Sequence, residues 1–287
     1  MKNIPKHRGA VLVVAFNRPN ELRKCLSSIV SQTSLDCPLV VFHQIGNVSV
    51  KEVLDEYESK IHKLVSFTRL GETPLENINT NRILGYEYCF GFLKSDWVLG
   101  VEDDIELGAD ALKFVSEMFY LHHNKIFFRG VNLGSYEIEE KASLEGYSKL
   151  SYGLHGQAAA ISKRTWQHFS PKKLLKNAKT IPLDGAIENF LKIGYMVTPN
   201  RSRYLDNGWN GTHAPKDPND SYFKKLRESW VGSEPFFVDT YQLQQMKHRW
   251  RSDCRPFTPY SWLKVYWDAL RNRIANLIKL VPGMKTD

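Results

Sequence analysis

Three adjacent carboxylates, Glu102-Asp103-Asp104, follow directly on the apolar run Trp97-Val98-Leu99-Gly100-Val101. Acidic side chains crowded at the end of a buried strand repel one another and lose hydration unless a cation sits among them. A hard divalent ion, Mn²⁺ or Mg²⁺, takes oxygen ligands and commonly shares them with a phosphate. The chemistry to expect is therefore charge stabilisation at a phosphate-bearing ligand. The plain alternative is a solvated acidic turn. The apolar strand in front of the triplet favours the first reading.

That strand is the fourth of an alternating series. Ala10 to Phe16 reads as a strand buried on both faces. Pro19 then opens a helix with Leu22, Cys25, Leu26 and Ile29 on one stripe. Pro38 to Phe42 is a second strand. Ser49 to Glu52 has capping-box spacing and opens a second helix. Leu64 to Thr68 is a third strand, Pro74 to Leu93 a long helix, and Gly108 to Leu121 a further one. Strands alternating with helices predict a mostly parallel sheet in a three-layer α/β sandwich. Ligands of such folds bind outside the carboxyl ends of the strands, here just after Phe16, Phe42 and Val101.

Beyond Lys125 the pattern loosens. Ile126 to Val131 and Gln157 to Ile161 read as strands, Lys163 to Phe169 and Asp184 to Ile193 as helices. Thr198 to Ser221, rich in Asn, Gly, Pro and Asp, reads as loop. The expected organisation is a catalytic domain over residues 1–245, divided into a nucleotide-sugar half (1–124) and an acceptor half (125–245), then a C-terminal extension over 246–287.

Composition narrows the function classes. The 287 residues are 42% hydrophobic and 24% charged, as in a globular domain. Net charge is +8, yet the segment from Lys247 to Lys285 holds nine basic residues against two acids, so the body is nearly neutral. No nucleic-acid module accompanies the charge, and no nucleic-acid partner is expected. Cys25, Cys37, Cys89 and Cys254 form no C-x-x-C pair and read as structural thiols in a reducing setting. No apolar run approaches the ~18 residues of a membrane span. The expectation is a cytoplasmic protein, peripheral to a membrane at most.

The stretch Val11 to Ile29, with its strand, Phe16-Asn17-Arg18-Pro19 and apolar helix, resembles the opening of a GT-A glycosyltransferase. The stretch Asn77 to Leu107, ending V-L-G-V-E-D-D-I-E-L, resembles the segment leading to that fold's D-x-D-type motif. The triplet E-D-D is similar to the form in N-acetylglucosaminyltransferase I-like enzymes, and the whole resembles family 2-like enzymes too. The resemblance implies a Rossmann-like three-layer fold, a nucleotide-sugar donor (a UDP-sugar) and Mn²⁺ or Mg²⁺. It implies Asp104 as metal ligand, with Glu102 and Asp103 holding ribose, sugar or water. Phe16 and Arg18 would lie near the nucleotide, and Asn81 and Arg82 would flank its pocket. The last two have a solvated helix face as their alternative. Gln44 stands where the family often has an acid for uracil.

On the acceptor side, the resemblance implies an inverting enzyme whose carboxylate takes the acceptor hydroxyl's proton. Asp184 stands at the family's position for this base, although L-D-G-A keeps one acid and lacks the flanking tryptophans. Its alternative is a helix N-cap. Glu188, one turn on, is the reserve. Ser202-Arg203, then Gly208 to His213, resembles the late loop that closes over the diphosphate, with His213 as a second metal ligand or an exposed loop histidine. His155 in Gly153 to Gln157, and Trp209 and Trp230, are further sugar-contact candidates; Trp166 reads as core.

From Ser261 to Val281 apolar residues recur at helical spacing between Lys264, Arg271, Arg273 and Lys279. Such a helix either lies on an anionic membrane, bringing a lipid-linked glycan acceptor within reach, or packs on a protein. Two other functions compete with transfer to a glycan. A sugar-nucleotide pyrophosphorylase would carry a Gly-rich loop after its first strand, which Phe16 to Pro19 lacks. A non-catalytic carbohydrate-binding or membrane-associated scaffold would have no need of three acids.

Overall fold

The computed structural model describes residues 8–32, 37–135, 147–150, 154, 156–191, 194–208, 224, 227, 228, 230 and 232. Among the described residues, eight strands form the central sheet: β1 (Gly9–Ala15), β2 (Leu39–Gln44), β3 (Lys63–Phe67), β4 (Trp97–Glu102), β6 (Phe128–Asn132), β7 (Tyr147–Leu150), β8 (Ala158–Ser162) and β9 (Tyr195–Pro199). Their order is β3-β2-β1-β4-β8-β6-β9-β7. A separate ribbon pairs β5 (Ile105–Leu107) antiparallel with β10 (Tyr204–Asp206). β3, β2, β1 and β4 run parallel. β8 turns antiparallel to β4 and β6, β9 pairs parallel with β6, and β7 closes the edge antiparallel to β9.

Period-2 alternation sends the residues of β1 to two cores. Val11, Val13 and Ala15 meet α1 (Pro19–Val30), α2 (Val48–Glu56) and α4 (Ala111–His122) on one face. Ala10, Leu12 and Val14 meet α3 (Pro74–Glu87), its π-helical continuation over Tyr88–Phe92, Trp166 and α7 (Leu183–Leu191) on the other. Two short helices, α5 (Lys163–Trp166) and α6 (Pro171–Asn177), complete the second layer. This is the mostly parallel three-layer α/β sandwich that the alternation of apolar segments predicts.

Several local expectations change. The cap of α2 is Asn47, whose side chain accepts from Ser49 N at 2.9 Å, so the Ser49 to Glu52 box lies inside the helix. An amide oxygen two residues upstream reaches the free N–H groups better than a serine already in the first turn. A near relative of the box occurs at α3: Thr73 caps Glu76 N at 3.1 Å, while the Glu76 carboxylate accepts from Glu72 N, one residue before the cap, at 2.7 Å. Thr198 to Ser221 is not all loop, since β9 ends and β10 lies within it. Cys25 and Cys89 are buried free thiols. Trp166 is core, as expected, with its ring 4.9 Å from that of Tyr86. No helix among the described residues is long and apolar enough to cross a membrane. The boundary at 245 and the extension 246–287 lie outside the described residues.

Candidate functional site

The sheet order reverses direction beside β1: β2 and β3 extend to one side, β4 lies on the other. Such a switch point opens a crevice at the carboxyl ends of the strands. The register places Val14 opposite Glu102, so the loop after β1 faces the residues after β4. Phe16 N donates to Asp103 Oδ2 at 3.0 Å, tying the two chain segments together. Arg18, at the N-cap position of α1, reaches back into the same crevice. Its Nη1 donates to Asp104 Oδ2 and lies 3.5 Å from Asp103 Oδ1.

Burial dominates the electrostatics of the triplet. Asp103 is 7% and Asp104 5% exposed. Loss of hydration pushes the Asp103 carboxyl up to about 6, against the hydrogen bond from Phe16 and the charge of Arg18. It pushes Asp104 up to about 8, reinforced by Glu102 and opposed by Arg18. Glu102 is raised for the same reason, with Arg82 opposing. The carboxylates are thus short of positive charge. Asp104 Oδ1 is buried and has no hydrogen-bond partner. An orphaned acid oxygen at a strand's carboxyl end fits an oxygen-seeking divalent ion. Among the described residues, however, no three acid, His or Cys side chains already converge as a metal cage.

A fourth acid belongs to this site and was missed in the sequence. Asp206, the last residue of β10, pairs with Ile105 across the ribbon and so returns beside the triplet. Its negative charge raises both Glu102 and Asp104. The chain then closes over Asp104: Asn207 N donates to the Asp104 carbonyl at 2.9 Å and Gly208 N to Asp206 Oδ1 at 2.7 Å. A Cβ on Gly208 would collide with Asp104 Oδ2 and stand 3.0 Å from Asp206 Oδ1. Only glycine allows this approach. An Asp-Asn-Gly turn after a β-rich tripeptide was the available signal.

Arg82 bridges the two halves of the site. Its Nη1 lies 3.5 Å from Glu102 Oε1, and its Nη2 donates to the Gly156 carbonyl at 2.7 Å. Asp184 lies against the same Gly156, where an added Cβ would come within 2.7 Å of Asp184 Oδ2. Asp184 also contributes to the field at Glu102 and Arg82. It is the second residue of α7, not its cap. The start of α7 is held by Asn79, which accepts from Leu183 N at 3.0 Å and donates to Ala178 and Ile181 carbonyls at 2.8 and 3.0 Å. Asn81 and Arg82 are both buried, so neither lies on a solvated face. Asn81 Oδ1 is also without a partner.

At the far end of the crevice Phe16 is 44% exposed, close to Gly46, and Gln44 ends β2 half-buried. Beside Gln44, His43 is buried with an unpartnered Nε2 and is held toward its neutral form by burial. Arg203 does not face the crevice. It is fully buried, 4.5 Å over the Phe114 ring, with Nε 3.5 Å from Asp110 Oδ2. Glu188 lies in α7 one turn beyond Asp184, on backbone grounds alone. His213, His155 and Trp209 fall outside the described residues. Trp230 sits by Ser202 through an isolated bridge, its carbonyl accepting from Arg201 at 3.1 Å.

No protein-family model matches the chain, and no curated protein matches it. Solved structures with similar folds include S. aureus TarS, 13% identical over 69% of this chain and 36% of that one, with a TM-score of 0.49. Residues 1–349 of S. aureus TarS in complex with UDP-GlcNAc are 12% identical over 68% and 57%, with a TM-score of 0.45. A mannose-1-phosphate geranyltransferase from Thermus thermophilus is 13% identical over 70% and 76%, with a TM-score of 0.42. The chain spans about a third of the length of the first of these.

Proposed function

We propose that this chain is a metal-dependent glycosyltransferase of the GT-A type. It would move a sugar, hexosyl or N-acetylhexosaminyl, from a UDP-sugar to a hydroxyl of a glycan or glycolipid. The observation that carries the proposal is the buried acid cluster at the switch point, with an Asp104 oxygen lacking any partner. Asp104 would hold Mn²⁺ or Mg²⁺, with Asp206 beside it and His213 as the proposed ligand from the late loop. The ion supplies positive charge to a departing diphosphate. Arg18 would contact phosphate oxygens, and Phe16, Gln44 and Asn81 would line the nucleotide's place.

Asp184 would take the proton of the acceptor hydroxyl as its oxygen bonds to the anomeric carbon. The bond from that carbon to the diphosphate breaks, and the diphosphate leaves with the electron pair. Attack from the side opposite the leaving group inverts the centre. Arg82 would hold the two sides in register, since it reaches Glu102 on the donor side and the Gly156 carbonyl beside Asp184.

The test is release of UDP from a panel of UDP-sugars with Mn²⁺ and glycan acceptors. Asp184→Asn is expected to lower turnover about 10²–10⁴-fold, the usual worth of a general base, with donor binding retained. Unchanged turnover in that variant would move the base elsewhere, with Glu188 next in line.

A further inference from the structure

Arg18 stands where a metal would be expected to sit. Its guanidinium nitrogen is bonded to Asp104 and lies 3.5 Å from Asp103. It is the only cation in the described ion pairs of either residue. Its side chain keeps 28% exposure, while those of Asp103 and Asp104 keep 10% and 7%. The cation therefore lies across the mouth of the crevice with the acids beneath it. The loop that carries it is pinned at Phe16 N to Asp103 and continues into α1 through Pro19. The other Asp104 oxygen remains unsatisfied. One guanidinium thus covers the pair without saturating it.

We infer that Arg18 is a resident counter-cation that closes Asp103 and Asp104 to free divalent metal and leaves them when a nucleotide diphosphate arrives. The inference rests on the donor reading proposed above. A divalent ion entering with Arg18 in place would put two cations against one carboxylate, and their repulsion disfavours that state. A diphosphate offers the guanidinium oxygens matched to its planar fork, which is the geometry arginine binds best. Arg18 would then exchange Asp104 for phosphate and leave the Asp104 carboxylate free to hold a metal. No covalent bond changes. The consequence is ordered loading: metal and nucleotide each raise the other's affinity, and Arg18 sets part of that coupling.

The test is calorimetric titration of the full chain with MnCl₂, alone and in the presence of UDP. Variants are Arg18→Gln, Arg18→Lys and Arg18→Gln combined with Asp104→Asn. Arg18→Gln should bind free Mn²⁺ about tenfold more tightly than the wild type, within the usual range of site-to-site coupling. UDP should then improve its Mn²⁺ affinity less than it improves the wild type's. The added Asp104→Asn change should erase the gain. Arg18→Lys, which keeps a charge but not the fork, should fall between. Free Mn²⁺ bound no more tightly by Arg18→Gln overturns the inference. If that variant does not fold, Arg18→Lys equal to the wild type overturns it. Should UDP bind no form of the protein, with or without Mn²⁺, the donor reading and the exchange step fall together. The free-metal comparison then still decides whether Arg18 guards the acids.

Discussion

Asp104 combines three properties in one side chain: burial, a bonded oxygen shared with Arg18, and a second oxygen with no partner. Its folded pKa of about 8, and that of Asp103 at about 6, lie above the ~3.9 of an unfolded aspartate. Between these limits the folded chain holds protons that the unfolded chain has released. Stability is therefore favoured at the acid end and falls as pH rises through the window from ~4 to ~8. The metal-free protein should lose Tm between about pH 5.5 and 8, and Asp104→Asn should lose less. Mn²⁺ should reduce the wild-type fall; a Tm that rises over this range would contradict the assignment. Gly208→Ala drives a methyl into Asp104. It should weaken Mn²⁺ binding and turnover while thermal unfolding remains cooperative. At this scale the triplet was legible, because three acids stand out after an apolar run, whereas Asp184 was singled out only through the family resemblance. Asp206 was not, because its three-residue strand sits in an Asn-, Gly- and Asp-rich stretch that reads as loop.

At the scale of elements, α3 places more of the site than its sequence suggests. Asn77, Asn79, Asn81 and Arg82 are buried beside Ile83 and Tyr86, so polar residues take up much of the helix face that packs. Asn77 instead accepts from Leu70 and Gly71 N–H groups at 3.0 and 2.7 Å, fixing the turn before the helix. Asn79 fixes the start of α7 through three bonds. Asn79→Ala leaves buried donors and acceptors unmatched and should cost about 2–3 kcal/mol, measured by denaturant unfolding. It should also lower turnover more than it raises the donor KM, because it displaces Asp184 and leaves the triplet alone. A variant that loses stability with turnover intact would separate α7 from the chemistry. The strands β1, β2 and β4 were readable because each is an apolar run buried on both faces. The β5–β10 ribbon was not, since its register depends on residues about a hundred positions apart.

The whole molecule divides its charge from its chemistry. The excess positive charge is concentrated after Lys247, in the extension beyond the described residues. The proposal for that segment is an interfacial basic helix that brings the enzyme to a lipid-linked acceptor. Vesicles containing anionic lipid should bind the full chain and not a chain ending at Pro259; equal binding of the two would remove the membrane from the account. Within the sandwich, Trp97, the first residue of the strand that leads to the triplet, is fully buried and stacks on Phe119 at 5.4 Å. Trp97→Ala should cost about 3–5 kcal/mol in denaturant unfolding.

The central claim is that Glu102-Asp103-Asp104, with Asp206, receives a metal and a nucleotide diphosphate together. Calorimetric titration of UDP-sugars into the full chain, with and without Mn²⁺, tests it most directly. The account requires binding that depends on Mn²⁺ and is lost in Asp104→Asn. Equal binding without metal, or binding unchanged by Asp104→Asn, would contradict it.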